Sequence, residues 1–162
     1  MYRSGVSFTP VQPGDIEHVA ANIREADRIE VYESSRREVL PALTASEKRS
    51  ERTATVRWDD EPVAIFGVGR LSLTSGVGVP WMLGTDVLSR NAKHLLPYAP
   101  PMVEKMMQGH DVLRNLVHDD NKASIRWLKS MGFRMSNPVA AGWRGRNFRL
   151  FEITKEELNV RS

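Results

Sequence analysis

Between residues 112 and 133 the hydrophobic pattern changes period once, and the change defines a unit. Val112, Leu113, Leu116 and Val117 make a short branched apolar run between Gly109-His110-Asp111 and His118-Asp119-Asp120, which predicts a strand bounded by turns. Asn121 then carries the side-chain oxygen that a helix N-cap needs. Ser124, Trp127, Leu128 and Met131 recur at helical spacing on one face, with Ile125 flanking them and Lys122, Arg126 and Lys129 on the other sides. Gly132 supplies the left-handed conformation that ends a helix, and Phe133 returns the chain to extended structure.

The same reading covers the rest of the chain. Residues 6–11 predict a first strand, ended by Pro10 and Pro13, and Gly14-Asp15 opens a helix with Ile16, Val19, Ala20 and Ile23 on one stripe. His18 lies off that stripe, as a solvent-facing histidine would. Residues 26–47 are highly charged but hold Ile29, Tyr32, Val39, Leu40 and Leu43, enough for one or two short helices interrupted near Pro41. Ala54, Val56 and Trp58 alternate with Thr53, Thr55 and Arg57, Asp59-Asp60-Glu61-Pro62 makes a turn, and residues 63–68 suit the central strand of a hairpin. Residues 71–79, rich in Ser, Thr and Gly, predict a loop, and PWMLGT (80–85) a short bulky segment. After Phe133, NPVAAGWRGRN reads as a loop, residues 148–154 as a final strand and 155–159 as a short helical end. No repeat, low-complexity tract or linker divides the 162 residues, so one domain is expected over 1–162, long enough to bury roughly 70% of the unfolded surface.

Composition removes several chemistries. There is no cysteine, hence no disulfide, thiolate nucleophile or cysteine-ligated zinc. The four histidines, His18, His94, His110 and His118, show no H-x-x-x-H pairing, so no metal site is expected. His118 beside Asp119 and Asp120 suggests a carboxylate-assisted base, but neighbours on a strand face opposite ways, which favours a turn or capping role for the aspartates. Neither G-x-S-x-G nor G-x-x-x-x-G-K-S/T occurs. Glu61 and Glu104 qualify as amine-deprotonating bases by chemistry alone. The start, MYRSGVSFTP, has no apolar signal region, and no run approaches the roughly 18 apolar residues of a membrane span, which suits an unexported, cytoplasmic protein.

The net charge of +3 is unevenly spread: Lys122, Arg126, Lys129, Arg134, Arg144, Arg146 and Arg149 lie between Asn121 and Phe151 with no acidic residue among them. A solvated basic face and a site for an anionic partner (coenzyme phosphates, nucleic acid or an acidic protein surface) both fit. Aromatic residues are not interleaved as stacking platforms, which makes nucleic acid the lesser of these partners.

The spacing of Asn121, Ser124, Gly132 and Phe133 resembles the C-terminal signature of the GCN5-related N-acetyltransferase superfamily, in which Asn, a small residue, often Tyr, then Gly-Phe recur. PGDIEHVAANIREADR, PVAIFGVG, GVGVPWMLGTD and NKASIRWLKSMGF, in that order, resemble the small acetyltransferase-like proteins of tailed bacteriophages, associated by name with podophage internal virion proteins. The resemblance implies an α/β fold, a single GNAT-like domain with a mixed, mostly antiparallel sheet and helices on both faces. It implies acetyl-coenzyme A as ligand, no metal, and coenzyme contacts from Leu83, Gly84, Thr85, Arg90, Lys93 and Asn121.

Two departures bear on activity. No glycine occurs from Thr85 to Gln108, where the superfamily cradles the coenzyme pyrophosphate on glycine amides, and Pro97, Pro100 and Pro101 stand there instead. Arg90, Lys93 and His94 offer side chains in place of the cradle, and a helix expected near Pro100 offers its positive end. Seven residues after Asn121, where members often carry a proton-donating tyrosine, stands Leu128. The reading implied first is a phage virion or morphogenesis component with a degenerate acyl-coenzyme A site, partnered by other virion proteins or a host protein, in the host cytoplasm or the virion. The alternative is an acyl-coenzyme-A-dependent N-acetyltransferase acting on a protein or small amine.

Overall fold

The computed structural model describes residues 5–161; the first four residues of the leader reading lie outside them. The elements are β1 (Val6–Thr9), α1 (Asp15–Ala21), α2 (Glu25–Ser35), α3 (Val39–Arg49), β2 (Arg52–Trp58), β3 (Glu61–Arg70) and β4 (Val77–Gly84). There follow α4 (Asp86–Arg90), α5 (Ala92–Leu95), a 3-10 turn (Leu96–Tyr98), α6 (Ala99–Met107), β5 (Val112–His118), α7 (Lys122–Ser130), β6 (Arg134–Met135), β7 (Val139–Ala141), β8 (Arg146–Thr154) and α8 (Lys155–Arg161).

The strands form one sheet in the order β1-β2-β3-β4-β5-β8-β6, with β7 also on β8. Every pairing is antiparallel except β4 with β5. The β2–β3 hairpin turns through Asp59 and Asp60, both at positive φ (50° and 69°), the hand that matches strand twist. Helices cover both faces. Val19, Val31, Val39 and Leu43 of α1–α3 pack with Ile65 and Leu83 on one; Leu88, Leu95, Met102, Met106, Ile125 and Leu158 of α4–α8 pack with Val56, Phe66 and Phe151 on the other.

Three departures from the expected pattern have local causes. Pro41 does not interrupt α3, because it falls in the first turn, where its missing N–H has no intrahelical partner to lose. The helix expected near Pro100 is present as α6, from Ala99, but short helices precede it from Asp86, directly after β4, in segments too short to show a stripe. In α7 Ile125 is the buried residue, while Trp127, Leu128 and Met131 are half-buried because they face a cavity.

Candidate functional site

β4 and β5 are paired only at their starts, Val77 with Val112 and Gly78 with Leu113. Beyond that they part. Thr85 N–H donates to Val63 O and Leu71 N–H to Val77 O, so the odd-numbered residues of β4 bond to β3 and the even-numbered ones turn their backbone groups to the open edge. Asn115 spans the apex of the split, its Nδ2 donating to Pro80 O at 2.8 Å and its Oδ1 accepting from Leu116 N–H at 2.7 Å. Further along, Gly84 N–H donates to Asp27 Oδ2 at 2.9 Å and Gly84 O accepts from Arg24 N–H at 2.9 Å. On the facing edge His118 N–H donates to Glu30 Oε1 at 2.8 Å. Between Pro80 and Gly84, Met82 turns its N–H and C=O to the split, without a partner among the described residues.

The split opens into a cavity of about 850 Å³. Its lining draws on both faces of the sheet: Trp81 and Leu83 belong to the cluster of α1–α3, and Phe66, Met82, Met102 and Phe133 to that of α4–α8. The cavity therefore passes through the sheet. Glu30, Ser34, Ala42 and Ser46 flank one mouth; Ser89, Lys93, Ser124 and Arg126 flank the other.

Arg24, Asp27 and Glu30 recur every three residues and face the split together. Arg24 grips Asp27 through Nε to Oδ2 at 3.0 Å and Nη2 to Oδ1 at 2.8 Å, and reaches Ser89 Oγ (3.2 Å) and Ser124 Oγ (3.3 Å). Asn121 caps α7 by accepting from Ser124 N–H at 3.4 Å, and its Nδ2 donates to Asp27 Oδ1 (3.2 Å) and Glu30 Oε1 (3.3 Å). Withdrawal from water, then the negative charge of Asp27, push the Glu30 carboxyl from its ordinary 4.5 up to about 7, against the opposing pull of His118 N–H, Asn121 and Arg24. A carboxyl that titrates near neutrality and lines a cavity can exchange a proton with a ligand there.

The β7–β8 turn closes over α2. Trp143 Nε1 donates to Tyr32 O at 2.8 Å, Arg144 is ion-paired with Glu33, and Arg36 and Arg144 lie over the Trp143 ring at 4.7 and 5.0 Å. Gly142, at φ 77°, comes so close to α2 that a Cβ would sit 2.0 Å from Glu33 O.

Of the residues singled out from sequence, Leu83 and Lys93 line the cavity and Asn121 joins the buried cluster at its wall. Gly84 and Thr85 are buried at the end of β4, Gly84 with both edge groups taken by α2. Arg90 is exposed on α4, outside the lining. Leu128 lines the cavity. The turn after β4 places Asp86 in the first turn of α4, so an acid stands where a glycine cradle would present amides. Glu61 and Glu104 are exposed and outside the lining. Glu30 does not stand out in the sequence, because α2 is rich in acids; its one local signal is its spacing from Arg24 and Asp27.

Much of the basic C-terminal third is neutralised locally. Arg134 pairs with Glu152 and Glu157, Arg144 with Glu33, and Arg149 with Asp119 at 2.6 Å. Asp119 thus serves Arg149 and, at 3.7 Å, Lys122 rather than His118. Among the described residues Arg126 has no ion pair, and like Lys93 it lines the cavity. Among the described residues no group of three or more His, Cys, Asp or Glu could hold a metal, and no helix is long and apolar enough to cross a membrane.

No family model matches this sequence, and no curated protein does. Solved structures match the fold. Spermidine N-acetyltransferase from Vibrio cholerae, in complex with CoA and spermine, is similar at a TM-score of 0.71 with 11% identity, over 97% of this chain and 99% of that one. AAC(6')-Ib in complex with ribostamycin and coenzyme A gives 0.72 with 13% identity, over 98% and 99%. Aminoglycoside N(6')acetyltransferase from Legionella pneumophila gives 0.71 with 9% identity, over 100% and 99%. The fold is that of the GNAT acetyltransferases.

Proposed function

We propose that the protein transfers an acyl group from acyl-coenzyme A to an amine, with Glu30 as general base. The observation that carries this is Glu30 itself, a carboxyl pushed up to about 7 on the wall of a cavity that runs through the sheet. Two mouths suit a reaction whose donor and acceptor approach from opposite faces. Lys93 and Arg126 stand at one of them, free to meet phosphate, and the open N–H of Met82 is a backbone donor for a developing oxyanion. Acetyl-coenzyme A, when bound, supplies an activated thioester carbonyl. Glu30 in its ionised form takes the proton of the amine, while Asn121 and His118 N–H hold its carboxylate in place. Leu128 leaves no side-chain acid at the usual tyrosine position, but a thiol with a pKa of about 8.5 needs no dedicated donor, since water can protonate the thiolate near neutrality.

A second reading, a phage virion or morphogenesis component using the same fold to bind other virion proteins or a host protein, is favoured by the glycine-free turn after β4 and by Leu128. Calorimetric titration with acetyl-coenzyme A separates the two. Micromolar binding is expected, and absence of heat would reject the transferase. The paired change Lys93→Ala with Arg126→Ala should weaken binding about 10-fold or more, in a salt-dependent way, because two unpaired cations are lost at one mouth. Arg144→Ala with Arg146→Ala should leave it unchanged; equal losses in the two double variants would remove the phosphates from the Lys93 mouth.

A further inference from the structure

The cavity has more positive charge than the coenzyme accounts for. Eight arginines among the described residues are ion-paired with carboxylates. Arg37 and Arg49, which line the cavity, have no such partner. Both belong to the mouth flanked by α2 and α3, across the sheet from Lys93 and Arg126. Ala42, Ser46 and Arg49 repeat at helical spacing along the cavity side of α3, and Ser34 and Arg37 continue the line from Glu30 past the end of α2. Among the described residues Glu30 is the only acidic one in the lining. A mouth of hydroxyls and unpaired guanidiniums, with a single carboxylate at its inner end, is built for a ligand that is negative at its outer end.

We infer that the acceptor is a small amine that carries a carboxylate, its amino group at Glu30 and its carboxylate on Arg37 or Arg49; this rests on the transferase reading. Arg37 follows α2 two positions past its end, beyond the left-handed Arg36; the rise from Glu30 to Ser35 alone is about 7.5 Å, and Glu30 and Arg37 both line the cavity, so an amine and carboxylate several bonds apart fit the span. A polyamine would place a second cation against two arginines.

The test uses three amines of matched length: 6-aminohexanoate, its amide 6-aminohexanamide, and hexane-1,6-diamine. With acetyl-coenzyme A the full chain should use 6-aminohexanoate at a KM about 10-fold or more below those of the other two. Arg37→Ala with Arg49→Ala, both at exposed positions, should raise that KM about 10-fold while leaving the amide's KM and the Kd of acetyl-coenzyme A unchanged. Equal use of acid and amide, preference for the diamine, or a uniform effect of the variant on all three would overturn the inference. Calorimetry of 6-aminohexanoate against wild type and variant reads the same contrast without turnover. Failure of acetyl-coenzyme A to bind would therefore reject the transferase while the carboxylate site is still decided, by weaker binding to the variant in its favour or equal binding against it.

Discussion

Glu30→Gln should lower kcat by about 10²- to 10⁴-fold while leaving the Kd of acetyl-coenzyme A unchanged, the loss expected when a general base is replaced by an isostere that cannot accept a proton. Glutamine keeps an oxygen to accept from His118 N–H and Asn121, so the local geometry survives. In the wild type, kcat/KM should rise with pH through about 7 and level off above it, as Glu30 ionises. The variant's residual rate should lack that step. The same carboxyl opposes folding at alkaline pH. Its folded pKa, about 7, exceeds the ordinary 4.5, so the folded chain holds a proton that the unfolded chain releases between those values. The stabilisation is complete below about 4.5 and is lost as pH rises through about 7. Glu30→Gln removes that loss and should raise Tm at pH 8 by a few degrees, at about 2–4 °C per kcal/mol for a chain of this size. Glu157, which its hydrogen bond from Arg134 holds down at about 2, loses its stabilisation only in acid and does not mask the effect. A slower yet more stable variant would separate catalysis from misfolding; a wild-type rate in Glu30→Gln would remove Glu30 as the base.

The parts legible in the sequence were those whose pattern is self-contained. The strand over residues 112–118, the Asn121 cap and the Gly132 stop, now at φ 101°, follow from local periodicity and backbone chemistry. β7 was hidden inside NPVAAGWRGRN because three residues carry no period; pairing with β8 makes them a strand. α4 and α5, of five and four residues, are equally too short to show a stripe. The site divides in the same way. Asn121 and Lys93 came from a motif and from charge, whereas Glu30 differs from its neighbours Glu25 and Glu33 only in what tertiary structure brings to it. Glu25 pairs with Arg28 in the open and Glu33 is paired with Arg144. Glu30 has a like-charged neighbour within its own helix, Asp27, but its withdrawal from water and its contacts with His118 N–H at the end of β5 and with Asn121 are long-range facts that residues 25–35 do not encode by themselves.

Asp27 sets that field, and its removal should be the most damaging single change to stability. It is 1% exposed, and its two oxygens accept from Arg24, Gly84 N–H and Asn121. Asp27→Ala strands a largely buried guanidinium and an unpaired strand-edge amide together, at a cost of about 3–5 kcal/mol and a fall in Tm of about 10 °C or more. Asp27→Asn is gentler, about 1–3 kcal/mol, since its amide keeps one acceptor but turns a donor toward other donors. It also has a readout that loss of stability alone does not produce. With the Asp27 charge gone and Arg24 no longer neutralised, both changes favour ionised Glu30, so the rise of kcat/KM with pH should shift below about 7. The variant would be less stable and yet relatively more active in mild acid. An inflection that stays in place would mean that burial alone raises Glu30, leaving Asp27 to hold Arg24 and the edge of β4 without tuning the base.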